Sequence, residues 1–129
     1  MIELTVKTSK QTDFVEITSL VRKTVLDTNI HDGVCYIFIP HTTAGITVNE
    51  NADPDVVTDM IAGLEKIVPQ KGSYLHSEGN SPAHIKSSLM GSSKTVFIEN
   101  GGLALGTWQG IYLAEFDGPR TRKVWIKII

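Results

Sequence analysis

Val34-Cys35-Tyr36-Ile37-Phe38-Ile39, followed at once by Pro40-His41-Thr42-Thr43, decides how this chain is read. An unbroken apolar run of strand length suits a central strand covered on both faces. Residues two apart share a face, so Cys35 lies with Ile37, Ile39 and the closing His41. A cysteine in such a run reads as buried and inert, because a nucleophilic thiol needs an accessible, electropositive setting.

Working outward, Ile2, Leu4 and Val6 alternate with Glu3, Thr5 and Lys7 as a half-buried strand. Phe14 to Ile17 is expected to pair back on it as a hairpin. Ile17, Leu20, Val21, Val25 and Leu26 recur at helical spacing, and that helix should stop near Asn29. Asp32-Gly33 is a turn. Beyond the central run, Gly45 to Asn49 is a short strand. Asp53-Pro54 starts a helix that carries Val56, Val57, Met60, Ile61, Leu64 and Ile67 and ends before Pro69. A loop over residues 70–80 has no apolar period. Ser81-Pro82 starts a third helix, which Gly91 ends. Thr95 to Glu99, Gly110 to Phe116 and Val124 to Ile129 are strands. About seven strands with three helices predict a single α+β domain over residues 1–129, built as an antiparallel β-sandwich.

The 129 residues are long enough for one substantial core. The net charge of −2 lacks the basic footprint of a nucleic-acid binder. No apolar run approaches the ~20 residues a membrane helix needs. One cysteine and no signal-peptide pattern favour the cytoplasm.

Three of the four histidines, His41, His76 and His84, lie in polar, turn-rich segments. Imidazole is a common metal ligand and the usual acid–base group near pH 7. Two readings stand: three surface or capping histidines, or one shared metal or phosphate-ester site. A zinc site needs its ligands to converge at ~2.0–2.1 Å from one ion. Glu50 follows a strand and would serve as a base or orient a histidine; Asp53 reads as a helix cap. Arg120, after Asp117-Gly118-Pro119, offers a planar fork for phosphate or a solvated turn residue. Asn80 and Ser81 open a helix whose free N–H groups attract anions. The Thr42 and Thr43 hydroxyls are supplementary donors. Trp108-Gln109 pairs an aromatic surface with an amide, or is structural.

Four segments in order carry a resemblance along essentially the whole chain: Pro40-His41-Thr42-Thr43-Ala44-Gly45-Ile46-Thr47-Val48-Asn49-Glu50, Ala83-His84-Ile85-Lys86, Leu105-Gly106-Thr107-Trp108-Gln109-Gly110-Ile111-Tyr112 and Glu115-Phe116-Asp117-Gly118-Pro119-Arg120. They closely resemble the YjbQ family, also known as secondary thiamine-phosphate synthases. The resemblance implies an α+β sandwich assembled as a homotrimer. It implies a pocket of the histidine, Trp-Gln and Asp-Gly-Pro-Arg segments that takes a divalent metal (zinc or magnesium) or an anion. Its expected reaction joins a hydroxymethylpyrimidine pyrophosphate to a thiazole phosphate. In that reading His41, His84 and Glu50 are catalytic, and Thr42, Thr43, Asn80, Ser81, Gln109 and Arg120 hold a small phosphorylated substrate. His41, His76 and His84 would hold the metal. The alternatives are a non-catalytic metal- or phosphate-binding trimer, and histidine segments that stabilise subunit contacts.

Overall fold

The computed structural model describes residues 1–129. In chain order the elements are β1 (Ile2–Lys7), β2 (Asp13–Glu16), α1 (Thr18–Thr28), β3 (Gly33–Phe38), β4 (Ala44–Glu50), α2 (Pro54–Ile67), α3 (Ser81–Met90), β5 (Ser93–Glu99), β6 (Gly102–Leu103), β7 (Gln109–Glu115) and β8 (Thr121–Ile128). They form an antiparallel five-stranded sheet, β1-β8-β3-β5-β6, and an antiparallel three-stranded sheet, β2-β7-β4. The α+β class and the three helices match the sequence reading. No helix is long and apolar enough to cross a membrane.

Alternation places the core. Val124 and Ile126 of β8, Cys35 and Ile37 of β3, and Val96 and Ile98 of β5 point inward from the larger sheet. Ala44 and Ile46 of β4 and Ile111 and Leu113 of β7 meet them from the smaller one. Ile17 and the α1 residues Val21 and Val25 complete this cluster. Each buried side chain of this size contributes roughly 1.5–3 kcal/mol. The opposite face of β7 presents Ala114, beside Phe116, to Leu64 of α2 and Ala83 of α3. The layers are therefore sheet, sheet and helices.

Two sequence expectations are corrected. Asp13–Glu16 does not form a hairpin with β1. It pairs with β7, at Asp13↔Glu115 through Glu16↔Tyr112, while β1 pairs with β8. The connection between them crosses from one sheet to the other. Second, β3 is central, between β8 and β5, yet this chain covers only one of its faces. Tyr36 and Phe38 are 45% and 43% exposed, and Phe97 of β5 is 63% exposed on the same surface. Phe38 stacks on Trp125 with ring centroids 5.9 Å apart.

Asp53 caps α2 as expected, its carboxylate accepting the Asp55 N–H at 2.9 Å. Gly45 lets α3 lie directly on β4. A Cβ there would stand 2.8 Å from the Gly91 carbonyl oxygen and 2.9 Å from the Met90 Cβ. That close approach forms one wall of the site.

Candidate functional site

Between the turn after β3 and the side of α3 lies a cleft of about 480 Å³. His41, Thr42 and Ala44 line one side; His84, Ser87, Ser88, Gly91 and Ser92 line the other. Donor groups dominate this lining, and no carboxylate contributes to it. Ser87 holds the walls together, its hydroxyl donating to the Thr42 carbonyl at 2.6 Å.

His41 is oriented by the backbone. The β3–β8 ladder ends at the Phe38↔Trp125 pair, and Pro40 has no N–H to extend it. The Lys123 N–H of β8 instead donates to His41 Nε2 at 2.9 Å. A neutral ring that accepts at Nε2 carries its proton on Nδ1. Burial first, then the charge of Arg122, pull the ring below its ordinary pKa; the Glu115 carboxylate offsets part of this. His41 is therefore a neutral N–H donor at pH 7.

His84 lies one turn into α3, with His76 edge-on to it at 5.3 Å between ring centroids. His76 comes from the 70–80 loop and is also 3.9 Å from the Glu78 carboxylate. The cleft joins His84 to His41, and the ring contact joins His84 to His76. However, no three His, Cys, Asp or Glu side chains are gathered as a metal-holding group. His41 Nε2 is already engaged, so the donor set does not fit a zinc or magnesium centre built from these three rings.

Asn80, at the start of α3, makes no cap hydrogen bond with its side chain. Its Nδ2 donates to Asp117 Oδ2 at 3.0 Å, and its Oδ1 is buried without a partner. Ser81 is the first helical residue. Arg120 donates through Nε to the Asp117 carbonyl and through Nη2 to Asp117 Oδ2, both at 2.8 Å. Its fork is folded onto its own turn. Thr42 is exposed in the cleft, whereas Thr43 is buried and its Oγ1 accepts from Arg122 Nη2 at 2.7 Å.

Glu50 and Gln109 are elsewhere. β4 begins at Ala44 beside the cleft and runs away from it, so Glu50, six residues on, lies about 20 Å distant at ~3.4 Å per residue. Gln109 is its ladder partner, and the Gln109 side chain accepts the Gly106 N–H at 2.8 Å. Trp108, 64% exposed, belongs to that same end. Within one chain the histidine and Trp-Gln segments thus lie at separate ends.

Four contributors went unnoticed in the sequence. Ser87 braces the cleft. Lys94 donates to the Met90 carbonyl at 3.1 Å, its ammonium 3.7 Å from where a Gly91 Cβ would lie. Glu115 and Arg122 form an ion pair buried behind His41 and Thr43. Burial pushes the Glu115 carboxyl up, but hydrogen bonds from Arg122, the Asp117 N–H and Thr8 outweigh it and leave the pKa lowered.

A family model described as UPF0047 protein YjbQ-like matches residues 2–129. The chain belongs to the YjbQ family. It is 51% identical over 124 residues to a UPF0047 protein of Methanocaldococcus jannaschii, covering 96% of this chain and 90% of that one. It is 50% identical over 127 residues to the UPF0047 protein YugU of Bacillus subtilis, covering 98% and 96%. A crystal structure of a YjbQ/UPF0047 protein from Clostridium acetobutylicum superposes with a TM-score of 0.98 at 60% identity, with complete coverage of both chains. A Sulfolobus solfataricus structure, described as of unknown function, gives 0.94 at 32% identity over 98% and 94%.

These findings correct the expectation of thiamine-phosphate synthesis. The family description and the relatives' names carry no such activity. The metal centre that reading shared with its non-catalytic alternative also lacks its ligand group.

Proposed function

We propose that the YjbQ-family cleft binds the phosphate of a small phosphate ester, with His84 supplying proton transfer. The observation that carries this is a lining of donors without a carboxylate: His41, Thr42, His84, Ser88 and Ser92. Around it stand the neutral His41 donor and the Lys94 ammonium near Gly91. A phosphate offers several acceptor oxygens and needs such donors; hydrogen bonds to it are charge-assisted and among the stronger ones. His84 lines the cleft, and an imidazole there is placed to protonate a leaving ester oxygen as water attacks the phosphorus; His76 packs edge-on against it.

Calorimetric titration with inorganic phosphate and with a simple phosphate monoester tests this. Saturable binding is expected, weakened about tenfold or more in His84→Ala, since a charge-assisted hydrogen bond is worth roughly 1.5–3 kcal/mol. Absence of binding by the unmodified protein sinks the reading.

We also propose a homo-oligomer, a trimer by family resemblance. Support comes from β3, which is apolar on both sides while this chain covers one. The cytoplasm fits a chain with one unpaired cysteine.

A further inference from the structure

We infer that the buried Glu115–Arg122 pair is the positioning device of this cleft, holding the His41–Thr43 turn and the Asp117–Arg120 turn to one carboxylate. The inference rests on the phosphate-site reading for its purpose and on geometry for its substance. Glu115 is fully buried and Arg122 nearly so, and neither lines the cleft. Glu115 Oε1 accepts from Thr8 Oγ1 and from Arg122 Nε, each at 2.8 Å. Glu115 Oε2 accepts from Arg122 Nη2 and, at 3.1 Å, from the Asp117 N–H. The same Arg122 Nη2 reaches Thr43 Oγ1, two residues from His41. Thr8 Oγ1 in turn accepts the Arg120 N–H at 2.8 Å. One carboxylate therefore gathers the end of β1, the turn after β3, the end of β7 and the turn before β8.

A buried ion pair is weak evidence of stability, because apolar residues of similar volume often replace it without loss. What apolar residues cannot replace is the set of directed side-chain bonds that ties both turns to one carboxylate. The pair also governs the surroundings of His41, which faces Arg122, Glu115, Arg120 and the Lys123 N–H.

The test replaces the pair as a unit, Glu115→Met with Arg122→Met, in the full chain. Circular dichroism and thermal unfolding report the fold, nitrogen-15 NMR reports the His41 tautomer, and calorimetry with inorganic phosphate reports the site. A folded double variant should lose the single Nδ1–H tautomer of His41 and bind phosphate about tenfold more weakly. A second variant, Thr8→Val, keeps the ion pair and removes only the hydroxyl between Glu115 and Arg120. It should weaken phosphate binding about threefold or more, with Thr8→Ser restoring it. An unchanged tautomer in the double variant, or unchanged affinity in both folded variants, overturns the inference. If the unmodified protein binds no phosphate, the phosphate reading fails, while the tautomer still decides the positioning role.

Discussion

His41 has a consequence for stability that can be signed. Its folded pKa lies below that of the free ring, so the unfolded chain takes up the proton first. Its contribution is intact above about pH 6.5 and declines as the pH falls below that value. Glu115, also lowered, adds a second loss only below about pH 4.3. Urea unfolding at pH 7.5 and pH 5.5 should therefore show a drop that His41→Gln reduces; an equal drop in both proteins counts against it. His41→Ala should cost about 1–3 kcal/mol at pH 7.5, because it strands the half-buried Lys123 N–H. The sequence put His41, His76 and His84 in polar turns at strand ends and helix starts, and the family resemblance, not their positions, favoured one shared site. It did not reveal that His41 Nε2 is spent on the backbone. The ion pair carried a legible signal that went unused. Glu115 falls on the inward parity of Ile111 and Leu113, and Arg122 on that of Val124 and Ile126. A single charge on the inner face of each of two strands must find its opposite. Breaking only one partner, as in Arg122→Met, should cost about 3–5 kcal/mol by thermal or urea unfolding.

Among the elements, α3 is the wall of the cleft set by close packing on β4. Its contact with β4 depends on Gly45, where an added methyl meets backbone rather than a flexible side-chain tip. Gly45→Ala should destabilise the fold by about 1–3 kcal/mol and lower phosphate affinity together, as α3 is pushed from β4. Calorimetry beside urea unfolding checks this; a stable variant with reduced affinity, or the reverse, would separate wall from fold. Helix starts were legible because Asp53-Pro54 and Ser81-Pro82 are local signals. Strand existence was legible for the same reason, through alternation. Strand partners were not, as β2 shows. Its partner β7 lies far along the chain, from Glu16↔Tyr112 to Asp13↔Glu115, and a nearby hairpin satisfies the same local pattern. Glu50 was expected near the histidines from its place after a strand and Gln109 from the family motif, and within this chain their ladder sets both at the far end of β4 and β7.

For the molecule as a whole, the open face of the larger sheet is the main unsatisfied surface. Tyr36, Phe38 and Phe97 stand exposed on it, and Trp125 lies half-buried among them. Light scattering should report an assembly larger than one chain at micromolar concentration. Phe38→Lys with Phe97→Lys should reduce it to monomers that keep their far-ultraviolet circular dichroism, since both side chains point away from the core. Monomers from the unmodified protein would remove the oligomer from the account.

The position of β8 between β1 and β3 reaches into the protein's synthesis. β8 alone joins β1 to β3, so β1 has no place in the larger sheet until residues 121–128 have left the ribosome. Until then Leu4 and Val6 of β1 have no strand beside them, and the nascent chain carries that apolar strand unpaired. Strand pairing over such a sequence separation is slow, and the unpaired apolar strand is exposed to association until it is made.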